Sequence, residues 1–448
     1  MRRRRHGGGT IWVGIDDTDS PRGGCTTWVL TELLVEARDQ AVDVIGEPRL
    51  VRLNPNIPWK TRGNAALSVR FGHGVGPTHR IGAAGGRALR AFDRGRPLPA
   101  DRAEAFREVL WQRVLAGSER GEPGTDPAMV ATSRRLPADL YWKAVREVVA
   151  VPTVRALLER SGAWWRTQGS DRGLVGAAAS IAWGGGHPTW ELTSYRTANR
   201  LGTVRRVDPL SVIRASRAHP SLFLCHDPRT RRLLVAPHTA CPVLFGLRGT
   251  RPGPLLRARP AVRSESPDRW VLFRTNQGTG DHLRPWPAGG VGPYQAARFR
   301  AEVSALPVAL PGGHVRLSVT TRTGRSVVCL AFEPTKTLPR VAARLAPGDR
   351  VELWGSRGTD PVIRLEGLRL LALAPRFAPP SPPMCAECRR PTRSLGTARG
   401  FRCPTCARRY PPERAVRRGL PPPLPLGEYH PTPSARRHLA PRGPEEVL

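Results

Sequence analysis

Four cysteines near the C-terminus form the sequence pattern that most constrains the fold. Cys385, Cys388, Cys403 and Cys406 make two CxxC pairs separated by a stretch of hairpin length. Four thiolates complete a tetrahedral shell around Zn2+ and leave no open position for a substrate, so the pattern predicts a structural zinc ribbon. The alternative is two unrelated CxxC pairs or a redox dithiol. The remaining cysteines are too sparse for a disulfide scaffold and are expected to be reduced.

The charge balance favours a polyanionic partner. The 448-residue chain has 71 Lys+Arg against 36 Asp+Glu, a formal net charge of +35. A GC-rich codon bias would exchange Lys for Arg, but it would not explain why acids are scarce. We therefore expect nucleic-acid binding, with a membrane surface as the weaker alternative. No run approaches the roughly 18 apolar residues of a transmembrane helix, so a soluble, cytoplasmic protein is expected.

A cluster of acids stands out in this basic chain. Residues 11–15 predict a short buried strand that runs into Asp16-Asp17-Thr18-Asp19, after which Thr26 or Thr27 is expected to cap a helix. Concentrated carboxylates need a cation, and Mg2+ on nucleotide phosphates suits such hard oxygen ligands. From the spacing alone, a solvated acidic turn is an equal alternative. The chain contains no GxxxxGKS or GxxxxGKT, so any ATP site is not of the P-loop type.

A polar loop at residues 54–64 is the third cluster. Its cations and amides, which include Lys60 and Arg62, could hold phosphate or an RNA backbone. Lys60 is one of only three lysines in the chain, which favours a need for a compact ammonium group, although chance retention is the alternative.

The rest of the chain predicts several further elements. Residues 73–135 indicate variable connecting structure with a helical patch at 102–116, and the small residues at 173–179 indicate a closely packed helix or strand. Alternating strands over 299–371, with a helix at 338–345 before the fourth strand, predict an OB-fold barrel. A plain structural barrel would show the same alternation.

These clusters resemble those of the archaeal agmatidine synthases, the tRNA(isoleucine) 2-agmatinylcytidine synthetases. The similarity spans nearly the whole chain. Its motifs lie at residues 14–20, 25–27, 52–64, 173–176, 241–244, 275–277, 312–315, 331–336 and 433–439, together with the cysteine ribbon.

The resemblance implies an α+β multidomain fold and an ATP-dependent carbon–nitrogen ligase. The implied domains are a kinase-like α/β domain at 1–160, a ferredoxin-like domain at 161–255, an OB-fold β-barrel at 256–376, a zinc ribbon at 377–412 and a basic C-terminal tail at 413–448. The implied reaction phosphorylates the carbon-2 oxygen of the wobble cytidine and lets agmatine displace the phosphate, so that the anticodon reads AUA. The implied partners are ATP, agmatine and an isoleucine tRNA with a CAU anticodon, with Mg2+ and structural Zn2+. No membrane and no obligate protein partner are expected.

The resemblance also implies the site residues. It puts Asp16, Asp17 and Asp19 at the Mg-ATP site and Thr18 at a position that is itself phosphorylated. The phosphate pocket would be lined by Lys60, Thr61, Arg62, Gly63 and Asn64, and the candidates for the substrate pocket are Arg172, Gly173, Gly176, Glu191 and Asp281. Ser170 and Asp171 stand where the family has Lys-Gly, so no contact is carried over to them. The main alternative is a non-catalytic OB-fold and zinc-ribbon protein that binds RNA or DNA. An enzyme of the same architecture with another amine or another RNA base is the second.

Overall fold

A computed structural model describes residues 10–20, 22–61 and 63–443. Its strands are β1 (Ile11–Asp16), β2 (Asp43–Ile45), β3 (Arg49–Arg52), β4 (Ala65–Ala84), β5 (Arg87–Arg96), β6 (Ala128–Thr132), β7 (Trp164–Thr167), β8 (Thr189–Tyr195), β9 (Leu222–Phe223), β10 (His226–Asp227), β11 (Arg232–Leu233), β12 (Val243–Gly249), β13 (Arg269–Thr275), β14 (Leu283–Pro285), β15 (Ala296–Val303), β16 (Val308–Leu310), β17 (His314–Thr321), β18 (Ser326–Ala331), β19 (Arg350–Arg357), β20 (Ile363–Ala372), β21 (Arg393–Ser394), β22 (Phe401–Arg402), β23 (Arg409–Tyr410) and β24 (Gly427–Tyr429). Its α-helices are α1 (Thr26–Asp39), α2 (Ala100–Ala116), α3 (Ala138–Arg146), α4 (Val151–Arg160), α5 (Gly173–Ala182), α6 (Pro209–Ala218), α7 (Pro252–Ala258) and α8 (Thr337–Ala342). None of the helices in these ranges combines the length and the apolar character needed to span a membrane.

An 11-stranded, mostly antiparallel sheet joins the first two-thirds of the chain. Its main strand order is β7-β6-β1-β4-β3-β13-β8-β12-β9, with β2 and β5 beside β4. The pair β3–β13 is parallel, with Arg274 opposite Arg49 and Thr275 opposite Leu50. Through this pair the N-terminal strands and the strands of residues 189–275 form one sheet. Strand β13, which falls inside the range predicted for the barrel, therefore belongs to the large sheet.

Strand β1 and helix α5 form the packed centre of the N-terminal part. The predicted buried strand at 11–15 is confirmed, and Val13 and Ile15 are fully buried. The small residues of α5 are also confirmed as a close packing surface. A side chain at Gly14 would overlap the backbone of Ala177, and Ser180 Oγ donates to Leu67 O at 3.0 Å. This close approach brings the N-terminal end of α5 to the carboxyl end of β1.

Two local predictions are wrong. The predicted connecting structure after residue 73 is instead a long hairpin, in which β4 turns at Gly85-Gly86, both with positive φ, into β5. The hairpin carries exposed arginines, so it lacks the apolar alternation that identifies a strand, although Gly-Gly is a known hairpin signal. The predicted cap of α1 at Thr26 or Thr27 is also wrong, because Cys25 is the N-cap residue and its side chain makes no capping hydrogen bond.

A closed five-stranded barrel follows the large sheet. Strands β15, β17, β18, β20 and β19 pair in a ring, and β18 and β20 pair in parallel. Helix α8 precedes the fourth strand of the ring, as the sequence predicted, and Leu338 is buried in the barrel core with Leu317 and Leu353. Strands β21, β22 and β23 then form the small sheet of the ribbon.

The described part of the predicted C-terminal tail is packed into the fold. Strand β24 pairs with β20 of the barrel, with Tyr429 opposite Leu368. The chain then returns to the large sheet, where Gly278 N donates to His438 O at 2.8 Å. Leu439, 1% exposed, lies in the core beneath α5. The prediction of a simple basic tail is therefore wrong for these residues, whose contacts depend on elements far away in the sequence.

A buried ionic network connects the barrel to this returning segment. Glu366 of β20 lies 2.8 Å from His282 Nε2 and 3.1 Å from Arg437 Nη1. Burial by itself would raise the pKa of Glu366, but Arg437 and His282 outweigh it and lower the pKa from 4.5 to about 2. The carboxylate therefore stabilises the native state above the ordinary pKa, and this contribution is lost as the pH falls from about 4.5 to about 2.

We predict that Glu366→Gln lowers the free energy of unfolding at pH 7 by about 3 kcal/mol, because it leaves the Arg437 guanidinium without its buried counter-ion. Between about pH 4.5 and 2 the wild-type protein should lose stability more steeply than the variant. Denaturant titrations at several pH values measure both effects. Glu302→Gln, on an exposed position of β15, is the control. Equal pH dependence of wild type and Glu366→Gln would contradict the prediction.

Candidate active site

The acidic turn closes strand β1 and packs inward. Asp17 has φ 58°, a left-handed conformation that reverses the chain, and its backbone N–H donates to Asp16 Oδ1 at 2.8 Å. The Thr18 side chain is fully buried, and its Oγ1 has no hydrogen-bond partner among the described residues. The solvated acidic turn that the spacing also allowed is therefore not what the structure contains.

Two carboxyl groups of this turn, those of Asp16 and Asp17, have raised pKa values. Burial raises the pKa of Asp16 well above its ordinary value, and the charge of Asp17 raises it further. The pKa of Asp17 is raised to about 7, first by burial and then by Asp126 and Asp19, while Arg172 opposes the shift. Asp126 precedes β6 and was not identified from the sequence. The cluster holds more negative charge than its surroundings balance, which favours a bound cation.

A cavity of about 300 Å3 opens beside the turn, and we call it cavity A. Among the predicted residues, those that line it are Asp16, Asp17, Asp19, Lys60, Thr61, Gly63, Asn64, Arg172 and Gly176. Arg62 lies outside the described residues. Gly176 of α5 faces Asp16 so closely that a side chain there would overlap the carboxylate. Cavity A thus brings together the acidic turn, the polar loop and the N-terminal half of α5.

The polar loop is closed by its own lysine. Lys60 Nζ donates to Pro55 O at 2.8 Å and to Ile57 O at 3.0 Å, and Asn64 Nδ2 donates to Asn54 O at 3.0 Å. Burial, followed by the nearby Arg437, lowers the pKa of Lys60. In this conformation the hydrogen bonds of Lys60 therefore stabilise the loop, and Lys60 lines cavity A.

A second cavity, cavity B, of about 390 Å3, adjoins the first. Asp19, Gly63 and Ala65 line both cavities, so the two meet at the acidic turn. The ionisable side chains that line cavity B are Asp19, Cys25, Arg52, Glu191, Arg232, His238, Cys241, Arg248 and His438. This mixed charge contrasts with the predominantly acidic lining of cavity A.

The parallel pair β3–β13 fixes one wall of cavity B. Because parallel strands end at the same edge of a sheet, Arg52 at the end of β3 meets the residues that follow β13. Asn276 holds this junction, since its Oδ1 accepts from Arg52 N at 2.7 Å and its Nδ2 donates to Arg52 O at 2.9 Å.

Glu191 of β8 lies at the buried side of cavity B. Its Oε2 is 3.9 Å from Arg52 Nη2 and 3.7 Å from Arg248 Nε, and it accepts a hydrogen bond from Gln277 Nε2. Its Oε1 faces Gly246, where a Cβ atom would come within 2.8 Å of it. One carboxylate oxygen is thus held by the protein, and the other faces a position without a side chain.

Two predicted substrate-pocket residues line neither cavity. Gly173 begins α5 and packs against the backbone of Asp126, where a Cβ atom would come within 2.6 Å of Asp126 O. The Asp281 carboxylate accepts the hydroxyl of Tyr141 at 2.5 Å. In contrast, Arg52, Arg248, Gln277 and His438 line or support cavity B and were not among the predicted site residues. Gln277 and His438 fell inside the motifs at 275–277 and 433–439, which was the available signal.

The four ribbon cysteines converge as predicted. Their sulfur atoms lie within 4.8 Å of one another. Among the described residues, no other group of three or more His, Cys, Asp or Glu side chains is close enough to share a metal ion. The Tyr410 hydroxyl donates to Cys385 Sγ at 3.3 Å and lowers the pKa of that thiol to about 6. Four thiols that converge in this way fit a tetrahedral Zn2+ shell.

Comparisons with known proteins cover almost the whole chain. Family models described as the TiaS TCKD domain, the TiaS FLD domain and the TiaS C-terminal zinc ribbon domain match residues 12–168, 171–282 and 382–419. A protein of Methanosarcina mazei, named TiaS, the 2-agmatinylcytidine synthetase of an isoleucine tRNA, is 34% identical over 445 residues, 96% of each chain. The protein of that name from Archaeoglobus fulgidus is 33% identical over 435 residues, again 96% of each.

Solved structures give the same result in three dimensions. An apo TiaS crystal structure superposes with a TM-score of 0.82 at 31% identity and covers 97% of both chains. A complex of TiaS with its isoleucine tRNA and ATP gives 0.82 at 31% identity over 96% of both chains. A complex of TiaS with the same tRNA, AMPCPP and agmatine gives 0.79 at 30% identity, covering 97% of this chain and 96% of that one.

We predict that the purified protein binds about one zinc ion per chain and that Cys388→Ser with Cys403→Ser abolishes binding, because two thiolates cannot close the shell. Metal analysis measures the ion, and hydrogen exchange over residues 385–410 measures the loss of ribbon structure. Cys329→Ala, which changes a buried cysteine of the barrel, should keep the zinc. A ribbon that stays protected without metal would contradict the prediction.

Proposed function

The chain belongs to the TiaS family, the 2-agmatinylcytidine synthetases of an isoleucine tRNA, and from this premise we propose how its two cavities carry out the reaction. The protein is an ATP-dependent ligase that joins agmatine to carbon 2 of the wobble cytidine of that tRNA. The product pairs with adenine, so the anticodon reads AUA. The supporting observation is the meeting of an acidic cavity with a mixed-charge cavity at Asp19 and Gly63.

Cavity A is proposed to hold ATP. The raised pKa values of Asp16 and Asp17 indicate that the described residues around these carboxylates do not balance their charge, which fits a Mg2+ ion that keeps water and phosphate ligands besides one or two carboxylates. When bound, Mg2+ neutralises charge on the phosphates. Lys60, Thr61, Arg62, Gly63 and Asn64 are proposed to hold the phosphate chain. Arg172, which lies 5.1 Å from the centre of the Trp59 ring, and Gly176 also line the cavity. Lys60 can exchange its two carbonyl partners for phosphate oxygens.

Phosphoryl transfer is proposed at the junction of the cavities. The carbonyl oxygen of cytosine is a poor leaving group until it becomes a phosphate ester, so ATP must phosphorylate that oxygen before an amine attacks carbon 2. The wobble cytidine must leave its stack to reach the site, and cavity B offers the space. Asp19, which lines both cavities, is the residue best placed to orient the reacting groups. Thr18, the position proposed to be phosphorylated, needs a rearrangement of the turn, because its hydroxyl is buried.

Agmatine is a dication and needs carboxylates. Cavity B supplies Asp19 near the junction and Glu191 at its buried side, so we propose that the attacking amine lies towards Asp19 and the guanidinium group towards Glu191. The open Oε1 of Glu191 beside Gly246 supports this orientation. Asp281 and Gly173 are proposed to support the site from outside the cavities.

The remaining parts of the chain are proposed to hold the tRNA. We assign the N-terminal part, with β1 and α5, as the kinase-like domain and the part with β8 and β12 as the ferredoxin-like domain, joined in one sheet. The barrel would act as an OB-fold and bind nucleotides by stacking, while the arginines of the ribbon contact phosphates. The protein would work in the cytoplasm. The alternative of a non-catalytic binding protein is not favoured, because RNA binding gives no reason to place three half-buried carboxylates together beside a cavity.

We predict that Asp17→Asn lowers the rate of agmatine transfer by about 100-fold or more, because it removes charge stabilisation at the triphosphate. Release of the ATP γ-phosphate and mass spectrometry of the wobble nucleoside measure the two steps. Asp101→Asn, on the exposed face of α2, is the matched control. Wild-type ATP consumption by Asp17→Asn would remove the acidic turn from the mechanism. A folded, zinc-loaded wild type that adds no agmatine would reject the proposed function.

We also predict that Gly246→Ala raises KM for agmatine about tenfold, because the new methyl group displaces Glu191 Oε1 from the cavity. KM for ATP should change less than about twofold, since cavity A is not altered. Gly186→Ala, where a Cβ atom meets no neighbour within 4 Å, is the control. If Gly246→Ala raised both KM values equally, Glu191 would have no specific role towards the amine.

A further inference from the structure

The C-terminal residues 433–440, which we call the return segment, form part of the wall of cavity B. After β24 they cross from the barrel to the turn that follows β13. Gly278 N donates to His438 O and Gly280 N donates to Leu439 O, both at 2.8 Å. Leu439 is buried in the core. The backbone at His438 is therefore held on both sides, next to Gln277.

The imidazole of His438 links this segment to Glu191 by hydrogen bonds. His438 Nδ1 lies 3.0 Å from Gln277 Oε1, and Gln277 Nε2 donates to Glu191 Oε2. Gln277 is 1% exposed, so its amide has no water to use as a substitute partner. The opposite edge of the imidazole faces the junction of the cavities, where a Cβ atom on Gly63 would lie 3.6 Å from Nε2.

The charges around Glu191 fix the direction of these hydrogen bonds. Glu191 pairs with the guanidinium groups of Arg52 and Arg248, and a carboxylate in such an ion pair can only accept hydrogen bonds. Gln277 must therefore present its NH2 group to Glu191 and its carbonyl oxygen to His438. It follows that His438 carries its proton on Nδ1 and donates it to Gln277, which leaves Nε2 unprotonated.

The same arginines keep the imidazole neutral. The charge of Arg52, then burial and the charge of Arg248, lower the pKa of His438 well below its ordinary value. The charged groups that line cavity B with it are Arg52, Arg232, Arg248, Glu191 and Asp19. A neutral imidazole supplies a hydrogen bond without adding positive charge where a cationic amine has to enter.

We propose that His438 is a positioning residue for the amine substrate: through Gln277 it holds Glu191 with Oε2 towards the arginines and Oε1 towards cavity B. The role rests on the proposed function, because agmatine is the cation that Glu191 would receive. It gives the return segment a part in substrate specificity in addition to its packing.

Kinetics of His438 variants test this role. His438→Ala should raise KM for agmatine about tenfold and change KM for ATP less than about twofold, because the Gln277 amide is then free to rotate. His438→Asn keeps an N–H close to the position of Nδ1 and should restore most of the affinity for agmatine. His438→Gln places its amide near the position of Nε2 and should not. An unchanged KM for agmatine in His438→Ala, or no difference between the Asn and Gln variants, would overturn the proposal.

Two further measurements separate positioning from packing. Nitrogen-15 NMR of the imidazole in the full-length protein should show the Nδ1–H tautomer with no titration between about pH 6 and 8, and an Nε2–H or protonated ring would overturn the proposal. Leu439→Ala loosens the same segment without touching Gln277, so it should lower the thermal midpoint without a selective rise in KM for agmatine. A selective rise in Leu439→Ala would assign the effect to packing. A wild type that makes no agmatinylated tRNA would overturn the proposed function itself, whereas an active wild type with an insensitive His438→Ala would overturn only the role of His438.

Discussion

Half-buried like charges at the end of one strand are the constraint on which the rest of the structure depends. Asp16 and Asp17 lie beside each other at the carboxyl end of β1, with Asp126 close by, and burial disfavours their charged forms. Only close packing holds them there, since Gly176 of α5 leaves no room between helix and carboxylate. Such an arrangement costs stability unless a cation completes it. We propose that the metal ion of a bound nucleotide supplies this cation, because the described residues around Asp16 and Asp17 do not balance their charge.

The parallel pairing of β3 with β13 fixes one wall of cavity B, where we propose that the second substrate binds. It places Arg52 beside Asn276 and Gln277, and so brings the loop of residues 54–64 and the second part of the large sheet to a common edge. Strand β13 also pairs with β4, so two pairings join the parts of the sheet, and cavities A and B share Asp19 and Gly63. The return segment closes the same edge from the barrel side. The barrel, which we propose to contact the RNA, is thereby connected by a short covalent path to the wall of cavity B.

The sequence predicted features whose signals are local. The strand β1, the close packing at residues 173–179 and the cysteine ribbon depend on neighbouring residues, and all three are present as predicted. The sequence left open whether residues 173–179 form a helix or a strand, and they belong to helix α5. The β4–β5 hairpin was missed because exposed arginines interrupt its apolar alternation. The supporting residues of cavity B could not be recognised for a different reason. His438 meets Gln277 across 161 residues of sequence, and neither side chain belongs to a spacing pattern that carries chemistry by itself.

The mixture of charged side chains in cavity B fits the proposal that agmatine and the wobble nucleotide of the tRNA meet there. A tRNA is a polyanion and agmatine is a dication, so a cavity of one sign would repel one of the two. In cavity B the carboxylate of Glu191 forms ion pairs with the guanidinium groups of Arg52 and Arg248, so charges of both signs lie close together. In such a pocket an additional positive charge would repel the amine, and an additional negative charge would repel the RNA. Orientation is then better controlled by neutral hydrogen-bond donors, and the amide of Gln277 with the uncharged imidazole of His438 meets that requirement.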